Sequence, residues 1–290
     1  MSTSRLFEEL RLHEVDWVAL DLEATGVAWG HDRIVEIGAL QFRLDPEGRV
    51  SPGPRFHSLI DPGQPIPEIV TRITGLSDAE VRGAPRLSEV WRDFESFIAG
   101  RIVIAHGARS DLSWLGAEAL RLAVPPLSAS FLCTLDTTRR VVPDAPRHTL
   151  IALTEHLGLA HEASEFHRAL ADALHTRNVF ARCVRTSGAR MLRDLGYRAP
   201  LPWPAPESYH VALPARLAGL DELATSQSRC LISYRGGSAG RELRPVTPLG
   251  LFAMDGVTYL RAWCHLSDTA KSFRCERIAA WRPDTDAKKS

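Results

Sequence analysis

Residues 16–26 read DWVALDLEATG. Trp17, Val18, Ala19, Leu20 and Leu22 form a nearly continuous apolar run, which predicts a central strand over 16–23. Asp21 and Glu23 interrupt that run at i and i+2. The two-residue period of a strand sends both carboxylates to one face of the sheet. Two carboxylates at the end of a buried strand are costly unless paired or metal-bound; the plainer reading is a solvated strand end. Ala24, Thr25 and Gly26 follow, and a turn there frees backbone NH groups beside the acids.

Working outward, residues 33–43 predict a second strand and 55–60 a third. Ala24 to Asp32 is the first connection, with Gly26 and Gly30 as turn signals, and Asp45 to Gly48 is the second. The result is a three-stranded meander. A helix over 88–98 follows, with Ser88 as its N-cap, then a short strand at 101–105. A helix over 108–123 ends at Val124-Pro125-Pro126. A strand at 131–135 and helices over 149–157 and 167–185 complete a mixed α/β sheet with helices on its faces. Residues 201–206 hold three prolines, an extended spacer marking a domain boundary. Beyond it lie a helix at 215–229 and strands at 230–235, 241–247, 249–254, 257–264 and 271–275. Asp255-Gly256 between apolar runs is the strongest hairpin signal. The tail therefore reads as a small, mostly β barrel or sandwich.

At 290 residues the chain has room for one large or two modest domains. Its 35 basic and 35 acidic residues cancel, which excludes a strongly basic nucleic-acid coat protein but not a local basic groove. Only Lys271, Lys288 and Lys289 are lysines. The rest of the basic side chains are arginine, suited to phosphate but equally the mark of GC-rich coding. Cys133, Cys183, Cys230, Cys264 and Cys275 are odd in number and lack a CxxC pair, which argues against a disulfide framework or zinc ribbon and for a reducing cytoplasm. No signal-peptide core is visible in residues 1–10, and the longest uncharged stretch, 122–135, is short and broken by prolines. A soluble cytoplasmic protein without membrane contact is expected.

Three further polar residues stand out by position. Asp111 falls in the first turn of the helix after strand 101–105, where an acidic side chain also simply favours the helix dipole. His167 and Asp172 lie five residues apart, about 140° around a continuous helix. They can share a site only if His167 sits at or before the helix start; otherwise they are two surface polar residues.

Taken together, Asp21 to Gly26, His106 to Asp111 and His167 to Asp172 resemble, in order and spacing, the three motifs of the DEDDh 3′–5′ exonucleases. Residues 33–40 (RIVEIGAL), 73–76 and 133–136 also resemble family segments. The likeness covers about 14–186 and fills all five catalytic positions. It departs at Ala24, where Thr is common, and at Gly107, where Asn is common. It implies an RNase H-like mixed five-stranded sheet with flanking helices. It also implies two Mg²⁺ or Mn²⁺ ions held by Asp21, Glu23, Asp111 and Asp172. Asp21 would bridge the ions, Glu23 and Asp172 would hold the one that activates water, and Asp111 would act mostly through a coordinated water. His167 would take the proton of the attacking water. Thr25 and Gly26 would meet the terminal nucleotide through their NH groups. His106 joins the substrate-binding set by position, although a structural role is the favoured reading for it. The partner expected is nucleic acid with a free 3′ end.

The tail, about 215–283, resembles a WYL domain through Tyr234, Arg241, Arg244, Pro245, Tyr259-Leu260, Phe273-Arg274 and Arg277-Ile278. Thr258 stands where the naming Trp would be. Residues 227–283 carry nine basic and four acidic side chains. A small SH3/Sm-like β domain with a binding face of Tyr234, Arg241, Arg244, Tyr259 and Arg274 is implied, for nucleic acid or a nucleotide ligand. The expected layout is a lead segment 1–13, an exonuclease domain 14–188, a linker 189–214, the WYL-like domain 215–284 and a tail 285–290. The function expected is a metal-dependent 3′–5′ exonuclease acting on single-stranded DNA. RNA or oligoribonucleotide is the alternative substrate. A ligand-sensing protein using the nuclease fold as a scaffold is the alternative class. Oligomeric state is not legible.

Overall fold

The computed structural model describes residues 3–29, 32–160, 167–205, 211, 213–236, 243–254 and 256–285. The chain divides into two compact units, 1–25 with 33–203, and 26–32 with 204–290. In chain order the first unit holds α1 (Thr3–Glu8), β1 (Trp17–Ala24), β2 (Ile34–Leu44), β3 (Val50–Leu59), α2 (Glu68–Thr74), α3 (Asp78–Val81) and α4 (Leu87–Ile98). It continues with β4 (Ile102–Ala105), α5 (Ala108–Leu122), β5 (Ser130–Cys133), α6 (Thr134–Val141), α7 (Leu150–His156) and α8 (Ala169–Ser187). Its sheet runs β3-β2-β1-β4-β5. The meander pairs antiparallel, β1 pairs β4 in parallel, and β4 pairs β5 in parallel. The parallel pair β4–β5 needs a crossover, which α5 supplies.

The first half of β1 is the centre of the core. Trp17 to Leu20 are fully buried, while its second half, from Asp21 on, is only partly covered. Trp17 packs against Phe180 of α8 at 4.8 Å and Phe42 of β2 at 6.2 Å between ring centroids. Its indole NH donates to Leu12 O at 2.9 Å, so the ring is buried with its polar atom satisfied. Helix α8 lies across β1 and β2. It fits because Gly38 leaves β2 bare: a Cβ there would stand 2.2 Å from Ala169 C and Leu170 N.

Several expectations are corrected. The third strand starts at Val50, not 55, since Pro52 and Pro54 are tolerated on an edge strand. Ser88 is not an N-cap; the helix starts at Leu87 and Glu89 accepts from the Arg86 NH at 2.6 Å. The strand expected at 131–135 stops at Cys133 because Thr134 begins α6. The sequence does not signal that helix, because it is rich in threonine, a weak helix former. Tertiary contacts hold it: buried Thr137 bonds the Tyr197 hydroxyl, which donates to Cys133 O at 2.8 Å. The last long helix begins at Ala169 rather than 167. Residues 189–203 are no linker. Ala189, Leu192, Leu195 and Tyr197 are buried in the first core, and Leu201 NH bonds Phe131 O of β5 at 2.8 Å.

The second unit holds α9 (Leu220–Ser226), β6 (Cys230–Tyr234), β7 (Arg244–Met254), β8 (Val257–Cys264), β9 (Thr269–Arg274) and β10 (Ile278–Pro283). Its antiparallel sheet is ordered β10-β6-β7-β8-β9 around a core of Leu220, Ile232, Val246, Leu260, Phe273 and Ile278. The helix expected at 215–229 is broken by Gly219 at φ +87 into a 3₁₀ turn and α9. The strands expected at 241–247 and 249–254 are one strand bent by a register shift at Pro248–Gly250. Strand β10 lies beyond the last strand that the sequence predicts. Of the expected hairpin, Met254 pairs Val257 and Gly256 has φ +74, while Asp255 lies outside the described residues. Among the described residues no helix is long and apolar enough to cross a membrane. All five cysteines are free and buried.

The bare patch on β2 is testable. Gly38→Ala forces overpacking against α8 backbone, which typically costs about 1–3 kcal/mol. A lowered urea midpoint at unchanged slope is the expected result; a midpoint equal to wild type would show that α8 yields without cost.

Candidate active site

Three elements deliver the acidic side chains to one crevice at the carboxyl end of β1. Asp21 and Glu23 come from β1, opposite Gly38 and Glu36 of β2 in the ladder. Asp111 comes from the first turn of α5, directly after the parallel neighbour β4, and is buried. Asp172 comes from the first turn of α8 and is buried. Crevices at the carboxyl ends of parallel strands are the usual ligand sites of α/β sheets.

Two left-handed residues make this convergence possible. Gly107, the residue before α5, has φ +94, and a Cβ there would meet nothing within 4 Å. The requirement at 107 is therefore conformational, and Asn, the family's common residue there, also tolerates it. His167 has φ +67 and Arg168 is extended, so the chain turns sharply before α8. The His167 NH then donates to Asp172 Oδ2 at 3.1 Å. Among the described residues, Glu23, His167 and Asp172 each bring one ligand atom within 4.8 Å of the others.

Burial and mutual repulsion dominate the electrostatics. Burial pushes the Asp21 carboxyl well above its usual value, and Glu23, Asp111, Asp172 and Glu36 push it further. Burial, then Asp172, Glu36 and Asp111, push Glu23 up to about 8. Burial raises Asp111 to about 7 and Asp172 to about 6. Asp172 Oδ1 is buried and meets no hydrogen-bond partner among the described residues. The surrounding protein lowers the His167 pKa, so its imidazole is neutral at neutral pH although the residue is exposed.

The other expected site residues divide. Thr25 is fully buried; its NH donates to Arg33 O at 2.8 Å and its hydroxyl accepts from Arg33 NH and Gln64 Nε2, each at 3.0 Å. Its NH is therefore spent inside the chain rather than on a nucleotide. A Cβ at Gly26 would lie 2.2 Å from Asp32 Oδ2, so any larger side chain there would have to displace the Asp32 carboxylate. Both ring nitrogens of His106 meet partners within the chain. Its Nε2 faces His148 O at 2.8 Å and its Nδ1 faces the Thr134 hydroxyl at 3.0 Å. A carbonyl only accepts, so Nε2 carries the proton, and the lowered pKa from burial leaves Nδ1 as acceptor.

On the second unit, Tyr234, Tyr259 and Arg274 come together. Arg274 NH meets the Tyr234 hydroxyl at 3.4 Å, and the Arg274 side chain bonds Tyr259. Tyr259 stacks on Phe252 at 5.1 Å and 12°. Arg244 is the correction: only 4% exposed, it points into the interior, beside Cys264, and cannot serve a surface face. Arg241 lies outside the described residues. Sequence reading missed Glu36 and Arg168, which bond each other beside the crevice. A glutamate inside the apolar run Ile34-Val35-Glu36-Ile37 was the available signal.

Comparison with known proteins agrees with this geometry. A family model described as "Exonuclease" matches residues 18–180, and the WYL domain model matches 216–283. The chain is 34% identical over 189 residues to a DNA polymerase III subunit epsilon-like protein of Rhodobacter capsulatus, covering 65% of this chain and 26% of that protein. It is 33% identical over 153 residues to a PolC-type DNA polymerase III of Streptococcus thermophilus, covering 53% of this chain and 10% of that protein. The chain thus spans at most about a quarter of these relatives. Among solved structures, exonuclease I is similar at TM-score 0.53 and 18% identity, covering 86% of this chain and 55% of the other. The nuclease domain of 3′hExo, a DEDDh family member bound to rAMP, is similar at TM-score 0.51 and 14% identity, covering 61% and 94%. These two likenesses bear on the fold alone. With its exonuclease model matched across more than half its length, the chain belongs to the exonuclease family, and it carries a WYL domain after that unit.

Proposed function

We propose that this protein hydrolyses phosphodiester bonds one nucleotide at a time from the 3′ end of nucleic acid, with single-stranded DNA as substrate. The observation that carries the reading is the convergence of Asp21, Glu23, Asp111 and Asp172 on one crevice with His167 at its rim. The donor set fits divalent cations. Hard carboxylate oxygens suit Mg²⁺ or Mn²⁺, the acids repel one another without one, and Asp172 Oδ1 is buried with no hydrogen-bond partner among the described residues. Bound there, two such ions would neutralise charge developing on the attacking and leaving oxygens. Asp21, Glu23, Asp111 and Asp172 would hold them. His167, neutral and exposed, would accept the proton of the attacking water. The Asp172 carboxylate accepts from the His167 backbone NH and so fixes the turn that carries the imidazole.

The experiment that tests this is incubation with Mg²⁺ or Mn²⁺ and end-labelled DNA and RNA strands side by side. Stepwise shortening from the 3′ end, faster on DNA, is expected; shortening of RNA alone would move the assignment to oligoribonucleotides, and endless persistence of both would reject it.

The aromatic and basic cluster of Tyr234, Tyr259 and Arg274 supports a second role, in which the WYL domain holds the strand upstream of the reacting end by phosphate contact and base stacking. Arg274→Ala with Tyr259→Ala should weaken binding to long strands and flatten its salt dependence, while dinucleotide hydrolysis stays as it was. Unchanged affinity at every salt concentration would leave a small-molecule ligand for that face.

The raised carboxyl pKa values set the sign of a stability effect. In the chelated protein the folded state holds protons that the unfolded state has released above about pH 4. Stability should therefore fall as pH rises from 5 to 8. Added Mg²⁺ or Mn²⁺ should restore it, and more at pH 8 than at pH 5. Calorimetric melting temperatures that rise with pH in chelator would contradict the carboxylate cluster.

His167→Ala should lower kcat by about 10²–10⁴-fold, the usual contribution of a general base. Because the His167 pKa is lowered, the wild-type rate at saturating metal should hold until the pH drops below the usual imidazole value of about 6.5. A variant with a wild-type rate would remove His167 from the reaction.

A further inference from the structure

We infer that Glu36 is a positioning residue that fixes the start of α8, and with it His167 and Asp172, by gripping Arg168 and Ala169 from β2. The inference rests on the reading that the carboxylate crevice is the catalytic centre. Glu36 is 1% exposed in the middle of an apolar strand. Its Oε2 accepts from the Ala169 NH at 3.0 Å. Arg168 Nε lies 3.3 Å from both carboxylate oxygens, and an Arg168 terminal nitrogen lies 3.2 Å from Oε1. His57 Nε2 from β3 completes the set at 2.7 Å. These hydrogen bonds outweigh the burial that would otherwise push the carboxyl up, and hold it below its ordinary value.

The placement is what gives this network a role beyond pairing. Arg168, the residue before α8, makes no capping bond with its own side chain. The first helical NH is instead capped by a carboxylate that lies 133 residues earlier in the chain. Gly38, two residues along the same face of β2, lets the first turn of α8 lie against the strand backbone. In the β1–β2 ladder, Glu36 is the partner of Glu23 and Gly38 the partner of Asp21. The two β2 positions opposite the β1 acids are thus the two that seat α8. The clamp thereby ties Glu23 and Asp21 to the element carrying Asp172, with His167 immediately before Arg168. A partner that orients a metal-binding carboxylate typically contributes about 10- to 100-fold to metal affinity or activity.

Glu36→Gln keeps the side-chain shape and an acceptor for Ala169 while removing the charge that holds Arg168, so it is the variant least prone to misfold. Hydrogen exchange on the metal-free protein gives a readout independent of catalysis. Amides 168–172 should exchange at least about 10-fold faster in Glu36→Gln, while the distal turns of α8 keep wild-type protection. On an oligonucleotide at saturating Mn²⁺, kcat should fall about 10- to 100-fold with KM changed less than about threefold. Arg168→Ala should show the same split. The double variant Glu36→Gln/Arg168→Ala should lose no more than the worse single variant, since both act through one contact. Wild-type exchange at 168–172, or multiplicative losses in the double variant, would overturn the clamp. A wild-type protein that degrades no nucleic acid with either metal would instead reject the catalytic reading, and the exchange measurement would still decide whether Glu36 seats α8.

Discussion

Repulsion among Asp21, Glu23, Asp111 and Asp172 is the constraint on which the first unit turns. Burial alone raises the pKa of each of these acids, and for Asp21 and Glu23 the proximity of the others adds to the effect. A fold that collects such groups needs compensation elsewhere, and it is found one half-strand away. Trp17 and Ala19 pack with Ala173, Phe180 and Val184 of α8, and Val18 and Leu20 are fully buried as well, so the same β1 that presents the acids is anchored by fully buried residues. The polarity of β1 changes at Asp21, and that change marks where stability gives way to chemistry.

The parts of the fold legible in the sequence were those whose environment is written locally. The apolar run of β1, the turn Asp45 to Gly48 and the Pro-terminated α5 depend on neighbours close in sequence, and they lie where the pattern put them. Helix α6 was illegible because its threonines have weak helix propensity and are held by Tyr197, some sixty residues away. Residues 189–203 looked like a spacer because prolines follow, yet Leu192 and Leu195 fill the core beneath α8. In the second unit the family likeness groups Arg244 with a surface face, and only the packing of β7 shows that it is buried.

The five chemical residues were legible for a different reason. Each is polar where its surroundings are apolar or its helix has just begun, and motif order ties them together. Their neighbours were less so. Glu36 is as conspicuous in the apolar run 34–40 as Asp21 is in β1, but its meaning depends on Arg168 and Ala169, which the chain brings back only after most of the domain is built. Thr25 shows the converse. A small hydroxyl beside the acids suggests a substrate contact, yet it is tied to Arg33 and Gln64 and serves to close the turn after β1.

The spacing of His167 and Asp172 shows how much backbone conformation can change a motif's geometry. On a continuous helix the two would diverge by about 140°. The chain avoids this by delaying α8 until Ala169, extending Arg168 and placing His167 in the left-handed region. The backbone then curls so that the His167 NH reaches Asp172 Oδ2, which commits one carboxylate oxygen to the turn and leaves Oδ1 without a partner among the described residues. Gly107 does the same before Asp111, with a left-handed residue ahead of the helix that carries the acid. Both acids outside β1 therefore reach the crevice through a residue that breaks helical periodicity. A non-glycine residue in that conformation is uncommon and costs free energy. At His167 the strained backbone is what lets an imidazole and a helix-borne carboxylate share one site.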